Sequence, residues 1–99
     1  MIKVLYLREV ADFVENLDYG DHVRLNRTRQ LFEERGFFVG QKYIKKITKS
    51  GIWELRAGSI RLFLYIKGEH AIGVHIIHKK SQKLPLKDIR LAERRCKEL

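Results

Sequence analysis

The sequence predicts an α+β domain in which two N-terminal helices and a C-terminal helix pack on a curved, mainly antiparallel β-sheet. Apolar residues recur at helical spacing before residue 36, alternate with period two from Ile52 to Ile77, and return to helical spacing after Pro85. The 99 residues suffice for one modest core, so the chain reads as a single domain, 1–99.

Ile2 to Tyr6 is a short apolar run that suits a strand joining the later sheet. Leu7, Val10, Ala11, Val14 and Leu17 then predict a helix of about three turns, ended by the DYGD stretch, where Gly20 is a candidate stop and Asp21 a candidate cap for the next helix. That second helix is expected from about His22 to Arg35, with Gly36 as its stop and a narrow stripe of Leu25, Thr28, Leu31 and Phe32. Residues 37–48 are apolar at FFV and mixed at YIKKI, and suit either a short helix or a strand. Gly58-Ser59 fits a two-residue hairpin turn, which places Arg56 opposite Arg61, Leu55 opposite Leu62 and Glu54 opposite Phe63. A loop of about three residues around Gly68 then brings Ile72, Val74 and Ile76 to the Leu62/Leu64 face, with His75 opposite Phe63 and Ile77 opposite Arg61. Pro85 marks the first turn of the last helix, whose apolar positions are Leu84, Ile89, Leu91 and Ala92.

The formal net charge is +9, and its distribution is uneven: residues 1–40 carry six Lys/Arg against seven Asp/Glu, residues 41–99 fifteen against five. The basic surface therefore belongs to the sheet and the C-terminal segment. A polyanion is the expected partner of such a field, although basic residues also serve solubility. The single cysteine, Cys96, leaves no intramolecular disulfide and suits a reducing cytosol. The start of the chain has charges at Lys3, Arg8 and Glu9 where a signal peptide needs an apolar run, and no stretch approaches a membrane span. A cytoplasmic protein without membrane contact is expected.

Metal-free RNA cleavage needs a base for the 2′-hydroxyl proton, an acid for the leaving 5′-oxygen, and cations for the charge that builds on phosphorus. Arg56, Arg61, Lys79 and Lys80 are suitable cations, and His75 and His78 are natural proton carriers near neutral pH. The candidate catalytic residues are thus Arg56, Arg61, His75, His78 and Lys80, with Lys45, Lys46, Lys49, Lys79 and Lys83 as RNA-binding residues. A basic sheet face with a histidine suits plain RNA binding equally well, and a lone strand histidine is commonly structural. His75 and His78, three apart on a strand, point to opposite faces. No metal or cofactor is expected, because Cys96 stands alone and the acidic residues after position 40 are scattered.

GIWELR, the Arg61 strand, HIIHKKSQKLP and the closing DIRLAERR together resemble the HigB branch of the RelE toxin superfamily, including its phage-derived relatives. The resemblance implies a RelE-like fold and a type II toxin that enters the ribosome and cuts translated mRNA. It also implies a cognate antitoxin, typically a small helix-turn-helix protein. Carried over by residue, Arg56 matches the WELR arginine, Arg61 that of the next strand, His75 the histidine of an LLHxF-like segment, and Lys79-Lys80 the basic pair. Where relatives carry a tyrosine or histidine near the C-terminus this sequence reads CKEL, so His78 or His75 is expected to take the proton. The same departure motivates an alternative, a non-catalytic module that binds RNA or antitoxin and regulates its operon.

Overall fold

A computed structural model describes residues 2–79 and 83–99 of the chain. Strand β1 (Lys3–Tyr6) leads into helices α1 (Arg8–Glu15) and α2 (Tyr19–Arg35), followed by a 3₁₀ turn at Gly36–Val39. Strands β2 (Ile44–Lys46), β3 (Ile52–Ala57), β4 (Ile60–Lys67) and β5 (His70–His78) come next, and helix α3 (Leu86–Lys97) closes the chain. The sheet order is β1-β5-β4-β3-β2, antiparallel except for the β1–β5 pair. This is the expected RelE-like architecture. Within YIKKI, Ile44–Lys46 form a strand at one edge of the sheet, and FFV lies in the 3₁₀ turn.

The helices cover both faces. Val10 and Val14 of α1 and Leu25 and Phe32 of α2 pack with Leu55, Ile60, Leu62 and Leu64 on one face. Ala92 of α3 packs with Ile52, Phe63 and Val74 on the other. Full burial of a Phe or Leu side chain contributes roughly 1.5–3 kcal/mol, so α3 is held mainly by a small apolar centre around Phe63.

Two local expectations are corrected. Helix α2 is capped by Asp18, whose carboxylate accepts from the Asp21 amide at 3.0 Å, so Gly20 and Asp21 lie inside the first turn of α2. The Asp12 to Asp21 stretch offers several capping side chains, and the one that leaves Asp21 in the first turn also places a favourable acid there.

The β4–β5 turn is the second. It has two residues, Gly68 and Glu69, because Lys67 pairs with His70. An even loop puts Ala71 and Gly73, not Ile72 and Val74, opposite Ile66 and Leu64. The register then shifts between Phe63 and Leu64, leaving Val74 as the extra residue of a β-bulge on the α3 side. Beyond the bulge, Ile76 faces Leu62, His75 faces Phe63 and Ile77 faces Arg61, as expected. Gly73 is required at the bulge by close approach: a Cβ there would stand 2.9 Å from Tyr6 Cδ1 and 3.1 Å from Leu62 Cδ1.

Candidate functional site

Across the α3 side of the sheet, register aligns Lys45, Glu54, Phe63 and His75 in one row and Arg56, Arg61 and Ile77 in the next. Like charges placed opposite each other destabilise a strand pair. Glu54 resolves the conflict. It is only 1% exposed, its Oε1 accepts from Arg56 Nε at 2.6 Å, and its Oε2 lies 3.9 Å from Arg61 Nε. A carboxylate this deep costs too much to bury without charged partners, so Glu54 and the two arginines form one unit. Arg61 also donates to the carbonyls of Gly58 and Ile60, which folds it over the β3–β4 turn. Burial lowers the Arg61 pKa, Glu54 opposes that effect, and Arg56 adds to it. Arg61 stays cationic, and its Nε has no hydrogen-bond partner among the described residues.

Beside this unit lies an open cleft of about 390 Å³ lined by Lys45, Lys46, Arg56, Lys79, Lys83 and Glu54, with Ile47, Leu84 and Ile89 as its apolar wall. Three parts of the fold meet there: the β2 edge, the end of β3, and Lys79, Lys83 and Leu84. The Lys79 amide donates to the Ser59 carbonyl at 2.7 Å, which ties the exit of β5 to the β3–β4 turn. Five cations thus surround one carboxylate that is already committed to Arg56. Such a concentration favours an anion with several oxygens, and a phosphodiester backbone fits it.

The family described as phage derived protein Gp49-like (DUF891) matches residues 12–97, almost the whole chain. The chain belongs to this Gp49-like family. The family is toxin-like, and a toxin of this kind implies an antitoxin partner in general. No curated protein matches the chain.

Within this Gp49-like fold the residues singled out from sequence are sorted by position. Arg56, Lys45, Lys46, Lys79 and Lys83 come together in the cleft, and Arg61 joins them through Glu54. Lys49 is exposed in the β2–β3 connection and does not line the cleft. Lys80 lies outside the described residues. His78 is on the α1 side of the sheet, its ring centroid 5.7 Å from that of Phe13, so it is separated from the arginines by the sheet itself.

His75 shares the arginines' face, but its ring is occupied. Nε2 is 2.7 Å from Asp88 Oδ1, and Nδ1 is 3.4 Å from Arg95 Nη1. Arginine only donates, so Nδ1 accepts and the Nε2 proton goes to Asp88. Arg95 Nη1 also donates to the Val74 carbonyl at 2.8 Å, and Arg95 Nε lies 3.7 Å from Glu9 of α1. Phe63 meets the imidazole edge-on at 5.4 Å.

Residue-type reasoning missed Asp88 and Arg95 as members of this site. Their signal is their spacing of seven in DIRLAERR, two helical turns, with Ala92 between them on the inward face. Among the described residues, no three His, Cys, Asp or Glu side chains are placed to hold a metal ion. No helix is long and apolar enough to cross a membrane.

Proposed function

We propose that the chain is the toxin of a type II toxin–antitoxin system, an endoribonuclease that cuts translated mRNA on the ribosome by metal-independent attack of a 2′-hydroxyl on the adjacent phosphorus. The observation that carries this reading is the cleft in which Arg56 and four lysines surround the buried Glu54 carboxylate. Arg56, aimed by Glu54, holds non-bridging oxygens of the scissile phosphate together with Lys79. Arg61, partly desolvated beside Glu54, adds positive charge as the phosphorus becomes pentacoordinate. Glu54, the only carboxylate lining the cleft among the described residues, is already paired, and charge compensation comes from cations instead of from carboxylate-held metal ions.

The attacking 2′-oxygen gives up its proton to solvent water and forms a bond to phosphorus as the bond to the 5′-oxygen breaks. The products are a 2′,3′-cyclic phosphate and a 5′-hydroxyl. The lysine ammoniums on the cleft wall protonate the leaving 5′-oxygen. His75, held by Asp88 and Arg95, acts as a positioning residue that fixes α3 against the sheet beside the cleft. Ribosome dependence and the helix-turn-helix character of the antitoxin rest on the resemblance of GIWELR, HIIHKKSQKLP and DIRLAERR.

Growth after induced expression, with mRNA 5′ ends mapped across open reading frames, tests the reading. Wild type is expected to arrest growth and create new ends within codons. Arg56→Ala and Arg61→Ala are each expected to reduce cleavage by about two orders of magnitude, with a double variant losing less than the product of the two. Equal toxicity of all forms would remove the proposal.

One observation favours a second reading, in which the chain binds RNA or antitoxin without cleaving. Neither imidazole singled out for proton transfer is available to the cleft, because His75 is engaged by Asp88 and Arg95 and His78 lies across the sheet beside Phe13. Intact mRNA after induction, with antitoxin affinity retained, would establish that reading instead.

A further inference from the structure

A groove of about 710 Å³ lies outside the cleft just described, between the outer face of α3 and the sheet. Its walls are Lys87, Arg90, Arg94 and Lys97 of α3, with Tyr65 of β4 and Ser50 of the β2–β3 connection. The spacing of three, four and three residues puts the four cations in one stripe along the helix. None of them is in an ion pair among the described residues, whereas Arg24, Arg29, Arg56, Arg61 and Arg95 all are. Like charges at these spacings destabilise a helix. The helix dipole favours Arg94 and Lys97 near the C-terminus but disfavours Lys87 in the first turn, so helix stability does not account for the stripe.

The acids of α3 offset it only in part. Asp88 faces inward to His75, and Glu93, the one acid lining the groove among the described residues, accepts from Ser50 Oγ at 3.1 Å and sets a single carboxylate against the four cations. Cys96 also lines the groove, and burial pushes its thiol up to about 11, so it adds no negative charge near neutral pH. Along β4, Arg61, Phe63 and Tyr65 project to the same side. Ala92 covers Phe63 in the middle, and Tyr65 borders the open flank about 13 Å along the strand from Arg61.

We infer that this groove is a second RNA-binding site, in which the Lys87–Arg90–Arg94–Lys97 stripe holds the phosphates of a single-stranded segment and Tyr65 stacks on one of its bases. An unpaired row of cations beside an aromatic side chain is the combination that single-stranded nucleic acid uses. The site extends the RNA-cleavage reading to a region no catalytic residue occupies, and it does not depend on cleavage taking place.

The test is the affinity of the full-length protein for a fluorescent 12-nucleotide 2′-O-methyl oligouridine, measured against salt concentration. That probe has no free 2′-hydroxyl and cannot be cut. Arg90→Gln with Arg94→Gln is expected to reduce the slope of log affinity against log salt by about 1.4. Tyr65→Leu should weaken binding at least about fivefold with the slope unchanged, and Tyr65→Phe should bind as wild type does. An unchanged slope in the double variant would overturn the inference. So would an equal loss of affinity for a polyglutamate chain of the same length, which would assign the groove to an acidic protein segment. A chain that cuts no mRNA but shows the slope change keeps this site and loses the enzymatic reading, and the converse removes this site alone.

Discussion

Glu54 is the residue on which the charge arrangement of the molecule depends. Counting outward from Gly58-Ser59 was enough to place Arg56 opposite Arg61 and Glu54 two residues away, so the neighbours were legible in the sequence. Their energetic relation was not, because register does not reveal that Glu54 is buried and bonded to Arg56 at 2.6 Å. Glu54→Gln leaves two adjacent arginines without their anion and is expected to lower unfolding free energy by about 2–3 kcal/mol in a denaturant titration. That is below the ~3–5 kcal/mol of a fully buried pair because Arg56 is partly exposed. Adding Arg61→Leu to Glu54→Gln should recover part of the loss by removing the repulsion.

Cys96 carries a prediction of pH dependence. Its folded pKa of about 11 lies above the ordinary thiol value, so its contribution to stability is complete below the unfolded pKa and is lost as pH rises through the folded one. Alkylation of the native protein by iodoacetamide at pH 8 should accordingly be slower than that of the urea-unfolded chain.

At the scale of elements, the bulge in β5 shows where pattern reading stops. Alternation of Ile72, Val74 and Ile76 is compatible with a three-residue loop and no bulge, or with a two-residue turn and one extra residue. Both leave His75 opposite Phe63. Only the packing of Val74 beneath α3 and of Gly73 beneath Tyr6 selects the second. Gly73→Ala is expected to destabilise the fold by about 1–3 kcal/mol, read as a shift of the denaturant midpoint, because the new methyl group meets the partly buried Tyr6 ring and the buried Leu62.

Residues 37–48 were ambiguous for a related reason. Three residues of edge strand are too few to show a period, and pairing with β3 decides their conformation. Helix α3 was legible from Pro85 and its apolar positions, but the Asp88–His75–Arg95 contacts join residues far apart in sequence. His75→Ala should loosen that docking, seen as faster amide exchange in α3 with α2 unaffected.

For the whole molecule, the division of charge between residues 1–40 and 41–99 translates into a division of surfaces. The basic cleft and the basic groove are both built mainly from the second part of the chain, on the side of the sheet that α3 covers. Composition alone therefore pointed to a polyanion, the family match makes the protein toxin-like, and the cleft gathers several cations in one place. The position of His78 on the far side of the sheet followed from the odd spacing between the two histidines. The engagement of His75 did not, since it depends on a helix that docks from outside the strand pattern.

The most direct measurement is of the ends left on mRNA cut in a cell-free translation reaction, because the proposed chemistry takes place at the phosphate. Wild-type protein is predicted to leave a 2′,3′-cyclic phosphate on the upstream fragment and a 5′-hydroxyl on the downstream one, with Arg56→Ala slower by about two orders of magnitude. Fragments carrying a 5′-phosphate and a 3′-hydroxyl, or cleavage as fast with Arg56→Ala as with wild type, would contradict it.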